Sequence, residues 1–191
     1  MPHRFTSRAD GDTRDRVDWA MVHQIHGAHV VVADRTGHLG DADAIVTTTP
    51  GLEIAVRVAD CAPIALLAEA DGVVGVVHAG WRGIVAGVIP AAVETMRSLG
   101  ATDIRAALGP CIHAECYEFG RDELDAIAAQ LGEEVRGTTS WGTPALDVVA
   151  AVGAQLPGID ISESACTACS AEHWSHRARG DVERQAVVAW L

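Results

Sequence analysis

The stretch Val58–Gly83, VADCAPIALLAEADGVVGVVHAGWRG, constrains the fold more than any other. It holds two apolar runs, Pro63–Ala68 and Val73–His78, separated by Glu69-Ala70-Asp71-Gly72, a turn sequence whose glycine can take a positive φ. If the runs pair antiparallel about that loop, Ala68 lies opposite Val73, and counting back along the ladder brings Cys61 within two residues of His78. A thiol and an imidazole then become neighbours at one end of a hairpin. Directly after His78, Ala79-Gly80-Trp81-Arg82-Gly83 sets a tryptophan and an arginine between two glycines ahead of a helix. The ingredients of a reactive site are concentrated at this end.

The flanking segments supply the rest of a mixed-sheet α+β domain. A short strand fits His3–Thr6, with loop to Val17. Residues 19–33, WAMVHQIHGAHVVVA, predict a strand, a bend at Gly27 and a second strand. His23, His26 and His29 recur there at intervals of three, which on a strand alternates faces, so a three-histidine cluster is disfavoured. Strands are expected over Asp41–Thr49, over Glu53–Ala59 with one face more polar, over Ile104–Leu108 and over Ala186–Leu191. Helices are expected over Ile84–Leu99, kinked or divided at Pro90 and stopped by Gly100, over Arg121–Leu131, and over Leu146–Leu156. The strands and helices interleave without a repeat, which favours one α+β domain over a doubly wound sheet.

Composition narrows the function. A formal net charge of -12 in 191 residues argues against a nucleic-acid surface or an anionic membrane patch, which need an excess of cations. The chain has no lysine, so all 14 basic side chains are arginine, and an anionic ligand would need a local arginine cluster. Arg177, Arg179 and Arg184 are candidates. The opening MPHRFTSRADGD lacks a signal-like apolar core and no apolar run reaches membrane-spanning length, so a cytoplasmic location is expected. Five cysteines fit free thiols or metal ligands better than a disulfide framework.

Histidine, cysteine and histidine on neighbouring loops suit a zinc ion with its fourth position open. Taken singly, Cys61 reads as a small buried hydrophobe and His78 as a strand-end histidine; the hairpin pairing raises the two together. Asp60, beside Cys61, could orient a ligand or move a proton. Cys166 and Cys169 form one CxxC, and without a second such pair they read as packed thiols near the site.

QIHG (Gln24–Gly27), ADCAP (Ala59–Pro63), HAGWRG (His78–Gly83), GPCI (Gly109–Ile112), CYEFG (Cys116–Gly120), CTAC (Cys166–Cys169) and HWSHR (His173–Arg177) resemble, in order, the polyphenol oxidase laccase-domain family. Its members are regarded as purine nucleoside phosphorylases with adenosine deaminase activity. The resemblance spans nearly the whole chain. FTSR (Phe5–Arg8) resembles the family's amino-terminal motif, but the segment between it and QIHG is shorter here, and His176 stands where relatives carry an aromatic residue. The resemblance implies a four-layer α-β-β-α fold and a metal, zinc or alternatively copper, held by His26, Cys61 and His78. It further implies Asp60, Cys61, His78 and Arg8 as catalytic residues, and Arg82, Tyr117 and Arg177 at the substrate. The small-molecule partners it implies are a purine nucleoside and phosphate, with no nucleic acid and no membrane. Other readings are a copper-dependent phenol oxidase, which usually draws on a large set of histidines, a cell-wall precursor editing factor, and a non-catalytic scaffold.

Overall fold

The computed structural model describes residues 2–191. The hairpin is as its turn sequence requires: β7 (Ala62–Ala68) and β8 (Val73–Ala79) pair antiparallel with Ala68 opposite Val73 and Pro63 opposite His78. The turn is a single 3-10 turn over Glu69–Asp71, closed by Gly72 at φ 67°. Every residue of both strands is buried because both faces are covered. Ile64, Leu66, Val73 and Val77 face helices, whereas Ala65, Leu67, Val74 and Val76 face a second sheet.

The other strands are β1 (His3–Phe5), β2 (Ala20–His23), β3 (Val30–Ala33), β4 (Gly37–Asp41), β5 (Ala44–Thr47), β6 (Ile54–Val58), β9 (Arg105–Leu108), β10 (Arg136–Thr138), β11 (Pro144–Leu146) and β12 (Gln185–Ala189). One five-stranded sheet runs β3-β5-β8-β7-β9 and the other β1-β12-β6-β2-β4, while β10 and β11 form a separate hairpin. Both large sheets are mixed: β3–β5, β2–β4 and β2–β6 are parallel, the remaining pairs antiparallel. They pack face to face through Val22, Ile45, Ile54, Val56, Leu67, Val74, Val76 and Val187.

The helices are α1 (Trp81–Ala86), α2 (Val88–Ser98), α3 (Arg121–Leu131), α4 (Val148–Gln155) and α5 (His176–Arg179). Helices α1, α2 and α4 cover the outer face of the hairpin-bearing sheet, and α3 packs against α4 and β11 in the same core. The outer face of the other sheet is closed differently. Trp19, Met21, Ala55, Ala186 and Val188 cluster there against Trp190, no helix contributes to the cluster, and the Arg16 guanidinium lies 4.1 Å from the centre of the Trp19 ring. None of the helices is long and apolar enough to cross a membrane.

The helix expected over Ile84–Leu99 begins earlier, at Trp81, and is divided at Gly87 rather than at Pro90. Gly87, at φ 89°, ends α1 in a left-handed cap and opens α2. Pro90 then falls in the first turn of α2, where an amide would lack an intrahelical partner, so the ring costs no hydrogen bond. The bend between β2 and β3 takes in Gly27, as expected, and also His26, the one non-glycine residue with positive φ (59°) among those described. The expected helix over Leu146–Leu156 starts only after Asp147, whose carboxylate caps it by accepting from Ala150 N. Strands β4, β10 and β11 and helix α5 were not expected from the sequence: they are short and lack a run of β-branched residues or a helical apolar period.

Gly109, just after β9, lies against the N-terminal strand: a Cβ there would sit 2.1–2.6 Å from the Phe5 ring. Gly109→Ala is therefore expected to destabilise the fold by about 1–3 kcal/mol through overpacking. In a Phe5→Leu background the same change should cost measurably less, as read by a double-mutant cycle in urea.

Candidate active site

Three loops converge at the open end of the hairpin. Cys61 precedes β7, His78 closes β8, and His26 comes from the β2–β3 bend. Their donor atoms all lie within 4.8 Å of one another, with Cys61 Sγ 3.9 Å from His26 Nε2. The rings of His26 and His78 meet edge to face at 4.8 Å.

The residue that assembles this group is Asp43, which heads β5 and is fully buried. One carboxylate oxygen accepts from His26 N at 2.9 Å and faces His78 Nδ1 at 2.8 Å; the other accepts from Gly27 N at 2.7 Å and Ile25 N at 3.3 Å. The same residue's carbonyl accepts from His78 N at 2.7 Å. With Nδ1 engaged, His78 turns Nε2 toward Cys61 and His26, the arrangement that prepares an imidazole for a metal. The three amides on the carboxylate also hold His26 in its left-handed conformation, which costs roughly 1–2 kcal/mol for a residue with a Cβ. Gln24 secures the approach: its side-chain amide donates to Arg57 O at 2.7 Å and accepts from Arg57 N at 2.9 Å, substituting for a strand partner beside β6. Asp43 was missed in the sequence. The only signal was an aspartate between alanines, ahead of a buried Ile-Val pair, where a carboxylate must find donors.

His23 and His29 are both exposed and both engage Asp41, through its carboxylate at 3.0 Å and its carbonyl at 2.7 Å respectively. Gly80 is required by proximity, since a Cβ on it would lie 2.8 Å from His26 Cδ2 and 3.1 Å from Cys61 Sγ.

Burial alone would raise the Cys61 pKa, but the neighbouring imidazoles of His78 and His26 outweigh it and bring the thiol down to about 6. Burial likewise opposes a charge on His78, yet the Cys61 thiolate and Asp43 lift it to about 9. Without a metal, the pair is thus thiolate and imidazolium around neutrality. Two nitrogens and a soft sulfur, with the second ring nitrogen of His78 already committed, fit a zinc ion.

These residues line a cavity of about 750 Å3 whose wall is rich in arginine: Arg14, Arg57, Arg82, Arg177 and Arg184. Arg14 is paired with Asp12 at 2.6 Å. Among the described residues, the other four have no carboxylate partner, in a chain of net charge -12. Arg57 is held below its usual pKa by burial and by the adjacent Arg184. Such a group is relieved by an anion. The lining is also aromatic: Trp81 and Tyr117 both pack edge-on against Phe119, at 5.3 and 5.5 Å. The Arg177 guanidinium lies 5.0 Å from the centre of the Tyr117 ring. Arg57 had not been singled out in the sequence because it reads there as the polar face of a strand.

Asp60 lines the cavity, yet its oxygens are occupied: Oδ1 accepts from Thr167 Oγ1 at 2.8 Å and Ser175 Oγ at 2.7 Å, and Oδ2 from Arg177 N at 2.7 Å. It ties the 167–177 loop to the Cys61 loop. Arg8 does not line the cavity; it donates to Asp181 Oδ2 at 2.6 Å and His173 O at 3.1 Å. Asp181 in turn accepts from Ser175 N and Arg179 Nε. Arg179 also donates to the carbonyls of Thr167, Ala168 and His173, so it is neither an anion site nor a solvated turn residue.

A family model described as multi-copper polyphenol oxidoreductase laccase matches residues 4–191. The chain belongs to this family. Among laccase-family relatives, it is 42% identical over 187 residues to a purine nucleoside phosphorylase of Streptomyces coelicolor, covering 92% of this chain and 75% of that one. It is 36% identical to an adenosine deaminase from an unknown prokaryotic organism, covering 84% of this chain and 69% of that one. The crystal structure of YlmD from Geobacillus stearothermophilus superposes with a TM-score of 0.77 at 31% identity, over 91% of this chain and 74% of that one.

Two outcomes are expected. In metal-free protein, alkylation of Cys61 should titrate near pH 6, and His78→Gln should move that midpoint upward, since His26 alone then opposes burial. Asp43→Asn preserves shape but offers one acceptor oxygen where four donors converge, and should weaken zinc binding by about 10–100-fold by competition with a chelator.

Proposed function

We propose that this chain is a zinc-dependent purine nucleoside phosphorylase, acting on adenosine, inosine or methylthioadenosine. The observation that carries this reading is the pairing, in one cavity, of four arginines without carboxylate partners and an aromatic wall beside the His26, Cys61 and His78 group. Phosphorolysis needs those parts: cations for phosphate, a flat apolar surface for a purine, and an electrophile at the reacting bond. The names of the relatives point the same way.

Arg57, Arg82 and Arg177 hold phosphate and screen its charge as it approaches the sugar, while Arg184, whose guanidinium donates to the carbonyls of Asp181, Val182 and Glu183, adds positive charge nearby. Tyr117 and Trp81 orient the base, and Arg177, packed on Tyr117, links the base subsite to the phosphate subsite. Asp60 and Arg8 act as positioning residues: Asp60 fixes the backbone of Arg177, and Arg8 braces the loop that carries it through Asp181. His26, Cys61 and His78 would hold a zinc ion, which would supply Lewis acidity at the reacting centre. Asp43 keeps both imidazoles directed at it.

Deamination of adenosine is a second activity, favoured by the adenosine deaminase among the relatives and by the open fourth position of a three-ligand zinc site. The phenol-oxidase reading gathers less support, because the only histidines in the metal-capable groups of the described residues are His26 and His78.

Purified protein is expected to release adenine or hypoxanthine from nucleoside only when phosphate is present. His78→Ala and Cys61→Ala should lower kcat by at least about a hundredfold. Arg57→Ala should act mainly on the KM for phosphate. Full turnover in the His78 and Cys61 variants would overturn the metal assignment, and oxygen uptake on a phenol by copper-loaded protein would favour the oxidase.

A further inference from the structure

A second group of donors lies outside the residues used above. Cys116 ends a 3-10 turn that leads into the aromatic wall at Tyr117, and Cys166 and Cys169 are the CxxC pair. Their three sulfurs all lie within 4.8 Å of one another, with Cys116 and Cys169 3.2 Å apart, and all three thiols are free. The sequence joined only two of them, as packed thiols; the fold adds the third from 50 residues upstream of Cys166.

We propose that Cys116, Cys166 and Cys169 form a second metal site, structural rather than catalytic, for a thiolate-preferring divalent cation such as zinc. Three sulfurs around one ion at about 2.3 Å are separated by roughly 3.8 Å, close to the grouping found here. A disulfide would use two sulfurs, at about 2.05 Å, and leave the third beside it without a role. Cys166 is buried and Cys169 exposed, so the ion is reachable from the surface. Cys116 also borders a cavity of about 650 Å3 that Phe119, Trp141 and Arg177 line as well.

The site has a mechanical task. From the end of α4 to the start of α5, the chain holds no helix or strand, only isolated bridges at Asp160 and Cys166. An irregular segment of this length needs fastening. The second ion fastens it to the Cys116 turn, and Thr167, within the CxxC, passes the constraint to Asp60. Tyr117 and Arg177 are thereby held from two directions.

The test counts zinc per chain. The full chain is stripped by chelator in the presence of a phosphine reductant, reloaded with zinc and dialysed, as wild type, Cys169→Ser and Cys61→Ala. Wild type is expected to retain one more zinc ion than Cys169→Ser, and Cys61→Ala to retain the ion that Cys169→Ser loses. Cobalt-loaded Cys61→Ala should show a thiolate-to-metal charge-transfer band of three-sulfur intensity. Equal zinc in wild type and Cys169→Ser, with no such band in Cys61→Ala, would overturn the proposal. Because Cys169→Ser leaves His26, Cys61 and His78 intact, the result is independent of whether the first site binds zinc.

Discussion

A single buried carboxylate decides the geometry of the reactive end of this molecule. Asp43 meets three consecutive amides and one imidazole, and its carbonyl takes the amide of that same histidine. A carboxylate without exposure is tolerable only when donors replace water, and here they do so with enough left over to hold its pKa below the ordinary value despite burial. The donors come from two otherwise separate elements, the β2–β3 bend and the end of β8. Satisfying Asp43 is therefore the same event as bringing His26 to His78.

Asp60 plays the corresponding part for the loop that carries Cys61. It gathers Thr167, Ser175 and the Arg177 amide, and so joins a long irregular segment to the loop that carries Cys61. Arg8 and Arg179 tighten that segment further through Asp181 and its carbonyls. The acidic chain thus spends carboxylates on bracing this segment, while four guanidinium groups in the cavity have no carboxylate partner among the described residues.

Much of this was legible in the sequence where a local rule applied. The hairpin register followed from loop length and apolar runs, and it put Cys61 near His78 before any other contact was known. The helix over Arg121–Leu131 was marked by its period and its acidic first turn. His26 was harder. Counting on a strand separates it from its neighbours, and only the family resemblance singled it out; the left-handed turn that frees it depends on Asp43, seventeen residues away. Arg57, Asp43 and the third cysteine were invisible for the same reason, since their partners arrive by sheet pairing and not along the chain. Arg8 and Asp60 stood out as charged residues in motifs, but charge alone does not tell a residue that meets a ligand from one that aligns another side chain.

The strands of the hairpin are sealed on both sides, with Gly75 facing Met96 of α2 and its neighbours Val74 and Val76 facing the other sheet. A slip by one residue would send valine into the space beside that methionine and hand a bare glycine to the inter-sheet layer. The same slip would rotate His78 away from Cys61. The placement of His78 beside Cys61 is thus underwritten by the greasy interior as well as by Asp43: the volumes that reject a misaligned ladder also reject a displaced imidazole.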